Sequence, residues 1–124
     1  MTILIDSDIL IEVSRGRNEE VLAKWARLAD GESALLCSPV TVAELWHGAR
    51  SSEHGILNSL FTALVCVPID HEIGRRAGDY LRQYRSSHNM ELADALIAAT
   101  ASIHGANLWT RNRKHYPMKA VAFY

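Results

Sequence analysis

Short, almost wholly apolar runs alternate along this chain with stretches whose apolar residues recur every three or four positions. The runs Thr2–Ile5, Ser33–Cys37, Val65–Val67, Asn107–Thr110 and Ala120–Phe123 mostly lack polar alternation, as parallel strands covered on both faces do. Between them, Val21, Leu22, Trp25, Leu28 and Ala29 form a helical stripe, with Asn18 placed to cap its start and Gly31 to stop it. Ile56, Leu57, Leu60, Phe61 and Leu64 form a second stripe. Ile73, Ala77, Tyr80, Leu81 and Tyr84 form a third, and Arg75, Arg76, Asp79 and Arg82 opposite it are spaced for ion pairs in solvent. A helix is also expected over Ser7–Ser14, and a last one from Leu92 to His104, ended by Gly105. This alternation predicts an α/β fold: a three-layer α/β/α sandwich around a mostly parallel sheet of about five strands, in a single domain over residues 1–124. Such sheets collect their sites at the carboxyl ends of the strands.

Three carboxylates stand in apolar surroundings. Asp6 closes Ile3-Leu4-Ile5, Glu44 lies in Val40–Trp46, and Asp94 interrupts Leu92–Ala99. A lone acid among apolar neighbours is costly to desolvate and needs a cation, a cap partner or a chemical task. Asp6 either opens a ligand site or caps the following helix, and Asp8 fits the capping role equally well. Thr41-Val42-Ala43-Glu44 matches a capping box, with Pro39 just ahead, so locally Glu44 reads as a cap. Asp94 shares its helical face with Ile97, Ala98 and Ala101. As an N-cap it would leave Leu92 and Ala93 unused, so a functional role is favoured. Brought together, the three acids would repel, and a divalent metal ion is their natural counter-charge.

The remaining composition narrows the choice of function. The hydrophobic fraction is 48%, the charged fraction 22% and the net charge −1, which argues against a general nucleic-acid coat protein. An enzyme meeting a phosphate backbone through metal and local arginines stays open. No apolar run reaches the roughly 20 residues that span a bilayer. The segment Met1–Asp6 carries no basic region or cleavage site, so a cytoplasmic location without membrane attachment is expected. Cys37 and Cys66, in separate strand-like runs, read as reduced core thiols. The six histidines show no metal-ligand spacing, which makes a zinc site improbable. Trp25, Trp46 and Trp109 fit faces turned to the core.

Four blocks then carry a resemblance across nearly the whole chain. These are Ile3–Ile11, Ser38–Leu45, Leu92–Ala101 and Leu108–Tyr116. In this order and spacing the chain resembles a PIN-domain ribonuclease of the VapC toxin type. The resemblance implies a metal-dependent endoribonuclease, the toxin of a toxin–antitoxin pair, cleaving RNA with a metal-activated water and leaving a 5′-phosphate. It implies that Asp6, Glu44 and Asp94 bind Mg²⁺ or Mn²⁺ and that Asn112 falls on the family's fourth acidic position. A neutral side chain there puts a tight second-metal site in doubt, and His115 stands where relatives often have another acid. Thr110 would orient the site, and Arg111, Arg113 and Lys114 would grip RNA. The implied partners are the RNA substrate, a cognate antitoxin that inserts a basic residue into the site, and a second copy in a homodimer.

Two other classes fit parts of the chain. Asp6-Ser7-Asp8 after a strand also resembles the start of a haloacid-dehalogenase-type phosphatase, although the chain is short for that fold and lacks its later motifs. A receiver-type phosphoacceptor domain would use Asp70, but Asp70 opening a helix reads better as a cap. An inactive relative that binds without cleaving completes the set.

Overall fold

In a computed structural model, which describes residues 1–124, the chain forms five strands and six α-helices, with two helices after each of the first three strands. In order these are β1 (Thr2–Ile5), α1 (Ser7–Arg15), α2 (Glu19–Ala29), β2 (Ala34–Cys37), α3 (Pro39–His47), α4 (His54–Thr62), β3 (Val65–Cys66), α5 (His71–His88), α6 (Leu92–Ile103), β4 (Asn107–Trp109) and β5 (Ala122–Phe123), with short 3₁₀ turns at Ser51–Glu53 and Arg113–His115. The sheet is parallel throughout, in the order β3-β2-β1-β4-β5. The expected three layers are present, since successive β1 residues point to opposite cores. Leu4 packs with α5 and α6 through Ile73, Ala77, Ala95 and Ala98. Ile3 and Ile5 pack with α1, α2 and α4 through Ile9, Leu10, Val21 and Leu57. Full burial of Ile3, Leu4 and Ile5 explains why this strand is apolar at every position.

Local signals place the helix ends. Asn18 Oδ1 accepts from the Val21 amide, so α2 starts where the sequence implies, and its last turn closes at Asp30, one residue before Gly31. Asp70 Oδ1 accepts from the Ile73 amide at the start of α5. That aspartate is a helix cap, and the phosphoacceptor reading has no support in its surroundings. After α6, Gly105 takes a φ of 60°, and the Ala106 amide returns to the Ala101 carbonyl at 2.9 Å. Glycine is suited to this left-handed reversal, which feeds the chain directly into β4.

Three expectations need correction. Glu44 is not part of a capping box: α3 is capped by Ser38, whose Oγ accepts from the Val40 amide, with Pro39 at the first helical position. Serine before proline is the better start signal, and it moves Glu44 to the middle of the helix. Cys66 is exposed, because β3 is a two-residue edge strand. Its registered neighbour Cys37 is buried; burial, and then Cys66, push the Cys37 thiol up to about 12. Ile56, expected on the inner stripe of α4, is 49% exposed. No helix is long and apolar enough to cross a membrane.

Candidate active site

Because all strands are parallel, β1, β2 and β4 end on the same side of the sheet, and the residues that follow each of them meet there. The Asp6 amide donates to the Trp109 carbonyl at 3.0 Å, continuing the β1–β4 ladder by one step and setting Asp6 beside Thr110. A cleft of about 500 Å³ opens at this point, lined by Asp6, Ser7, Asp8, Glu44, Asp94 and Asn112 among others.

Asp6 is buried and fully engaged. Its Oδ1 accepts from the Ser7 amide at 2.8 Å, while its Oδ2 accepts from Thr110 Oγ1 at 2.9 Å and from Tyr116 Oη at 2.8 Å. It therefore combines the two roles left open by the sequence, capping α1 with one oxygen and facing the loop after β4 with the other. Ser7 couples two of the acids, since its Oγ donates to Glu44 Oε1 at 2.8 Å. Glu44 itself is exposed.

Asp94 sits in the first turn of α6, half-buried. Its Oδ2 accepts from the Glu91 amide at 3.3 Å, and His115 Nδ1 stands 3.7 Å from its Oδ1. So Asp94 has a capping role as well, from the third helical position, which leaves Leu92 and Ala93 inside the helix. Burial is the main cause that raises its pKa, with the Glu91 amide and His115 opposing and Asp6 adding to the rise.

Asp8 caps nothing. Its Oδ2 accepts from the Arg111 amide at 2.9 Å and from Asn112 Nδ2 at 3.2 Å, with Thr110 Oγ1 3.4 Å away. Its Oδ1 is buried with no hydrogen-bond partner. Burial and then the charge of Asp6 raise its pKa, against the amides of Arg111 and Ile9 and the Thr110 hydroxyl. Thr110 is the hinge of this arrangement, since its hydroxyl also accepts from the Asn112 amide at 3.1 Å.

Sequence reasoning passed over Tyr116. Its phenol is buried, and burial first, then Asp6, pushes its pKa far above the ordinary tyrosine value, so it stays a hydrogen-bond donor to Asp6. A tyrosine before Pro117 gives no periodic signal; only its place at the end of the Leu108–Tyr116 block pointed here. The basic residues expected to hold RNA do not line the cleft. Arg111 pairs with Glu12 at 3.1 Å, and Arg113 lies over the Phe123 ring at 4.9 Å. Lys114 is exposed in the 3₁₀ turn beside Asn112 and His115.

The donor set is suited to a hard divalent cation: carboxylate oxygens around one cleft, one of them buried without a partner. No three of the His, Cys, Asp and Glu side chains are close enough to form a ready-made metal cage. An ion held here would therefore keep water in its shell, as Mg²⁺ commonly does.

A family model described as PIN domain matches residues 3–123, and the chain belongs to that family. It is 42% identical over 118 residues to Ribonuclease VapC10 of Mycobacterium tuberculosis, covering 94% of this chain and 86% of that protein. Among solved structures, the fold is shared with VapBC2 from Rickettsia felis, bound to a DNA fragment from the promoter, at a TM-score of 0.84 and 18% identity over 100% of this chain and 98% of that one. It is shared also with a toxin–antitoxin complex from Klebsiella pneumoniae, at a TM-score of 0.77 and 24% identity, covering 97% and 95%. The phosphatase and receiver readings are set aside by this membership.

Proposed function

We propose that the chain, as one PIN domain over residues 1–124, is a metal-dependent endoribonuclease and the toxin of a toxin–antitoxin pair. The observation that carries the reading is the Asp6 carboxylate at the end of the central strand, gripped from both sides of the cleft that Glu44 and Asp94 also line. The identity to a named ribonuclease supports the choice of RNA as substrate.

Asp6, Glu44 and Asp94 are the proposed ligands of Mg²⁺ or Mn²⁺, with Thr110 as a positioning partner through Asp6 and Asn112 lining the same cleft. A divalent cation bound there lowers the pKa of a coordinated water and offsets charge developing on the scissile phosphate. The protein's own contribution is orientation. Thr110 and Tyr116 fix the Asp6 carboxylate, Ser7 ties Glu44 to the same helix start, and the Glu91 amide sets the rotamer of Asp94. Lys114, free of carboxylate partners at the rim, and more weakly Arg111 and Arg113, are the proposed contacts to the RNA backbone. A cognate antitoxin, a homodimeric state and a cytoplasmic location belong to the same proposal.

Incubating RNA with the protein in Mg²⁺ or Mn²⁺ is the test, with EDTA and with Asp6→Asn and Asp94→Asn as comparisons. Cleavage by the native chain, abolished by EDTA and reduced at least about 100-fold in both variants, is expected. Equal cleavage by all three proteins, or indifference to EDTA, would refute it.

A further inference from the structure

The loop after β4 and the start of α1 are joined through one oxygen of one residue. The Arg111 amide and the Asn112 side-chain amide both donate to Asp8 Oδ2, and the Thr110 hydroxyl lies within 3.4 Å of the same atom. Those donors fix the Asp8 carboxyl plane and leave its second oxygen, Oδ1, buried and unpartnered. A buried carboxylate oxygen without a donor is an uncompensated cost, and Asp6, two residues earlier, adds like-charge repulsion. A structural pin does not require this charge. A neutral amide at position 8 would accept the same hydrogen bonds with its one oxygen, carry no charge for Asp6 to repel and cost less to desolvate than a carboxylate.

From this arrangement we propose that Asp8 is a further acidic ligand of the active-site cation, directly or through one water, and that Asn112 is the residue that positions it. The inference rests on the metal-dependent reading above. It changes the meaning of the Thr110-Arg111-Asn112 element: the loop supplies donors that orient a carboxylate on the neighbouring helix, and the negative charge comes from α1. Asn112 is suited to that task because its Nδ2 can donate, which an aspartate there could not do. The orienting donors occupy Oδ2, so Oδ1 is the oxygen still lacking a partner in a residue that lines the cleft.

Mn²⁺ binding to the intact protein, measured by calorimetry and by the loss of the free-ion electron paramagnetic resonance signal, separates the possibilities without any cleavage assay. Asp8→Asn keeps an acceptor for the loop and removes only the charge. It is expected to weaken Mn²⁺ binding at least about tenfold while metal-free melting stays level or rises. Asn112→Ala removes the orienting donor and is expected to weaken binding by a smaller factor. Asp6→Asn is the control for the underlying reading. If Asp6→Asn weakens Mn²⁺ binding and Asp8→Asn stays within twofold of the native chain, Asp8 is only a pin and the proposal is overturned. If neither variant affects binding, the metal-site reading itself fails. A fall in the metal-free melting temperature of Asp8→Asn with unchanged Mn²⁺ affinity likewise overturns the proposal.

Discussion

The phenol of Tyr116 donates to Oδ2 of Asp6 at 2.8 Å, across 110 positions of sequence. That bond and the one from Thr110 fix a single carboxylate oxygen, so the charge at the end of the central strand has one orientation. Tyr116→Phe removes the donor and keeps the packing. Partners that orient metal ligands typically cost 10–100-fold in activity or affinity when lost, and a comparable loss of RNA cleavage is expected here. The stability cost should be about 1–3 kcal/mol, from a buried hydrogen bond to a charged group. Single-turnover cleavage and chemical denaturation of the same variant check both figures.

The raised pKa of Asp8 has a sign that can be tested. Burial, and then Asp6, holds this carboxyl above the ordinary aspartate value of 3.8, so the folded chain binds its proton more tightly than the unfolded chain does. By linkage the charged group costs stability above its folded pKa, and that cost fades as the pH falls toward the unfolded value. Without metal, Asp8→Asn should therefore be at least as stable as the native chain near neutrality, with a gap that narrows on acidification toward about pH 4.5. Thermal melts of both proteins in EDTA across that range check this; a gap that widens on acidification contradicts it.

Asp70 tests the opposite expectation. It caps α5 through the Ile73 amide at 2.9 Å and has no place in the cleft. Asp70→Ala should cost about 1 kcal/mol of stability and leave RNA cleavage unchanged. An equilibrium melt beside a cleavage assay decides it, and loss of cleavage in a stably folded variant would place a function at Asp70.

Much of the fold was legible because buried parallel strands leave little freedom in composition. Ile3, Leu4 and Ile5 face two cores at once, and continuous apolarity records that directly. Asp94 was only half legible: the sequence favoured a functional role over capping, whereas the structure sets it in the cleft and also at the third helical position, accepting from the Glu91 amide. Glu44 was not, because a capping-box pattern is short enough to arise by chance, and Ser38-Pro39 supplied a stronger start three residues earlier. The roles of Tyr116 and Asp8 depend on contacts more than 100 positions apart, on a β4 loop that curls back over α1. No local periodicity encodes such a meeting. Cys66 was misplaced because apolar runs do not distinguish an edge strand from an inner one.

The central position of β1 has a consequence for the cell that makes this protein. The strand that presents Asp6 is synthesised more than 100 residues before Thr110 and Tyr116, the groups that aim its carboxylate. A nascent or truncated product therefore carries the acids without the hands that hold them. The cleft is complete only once the loop after β4 has been made, however early its first acid appears.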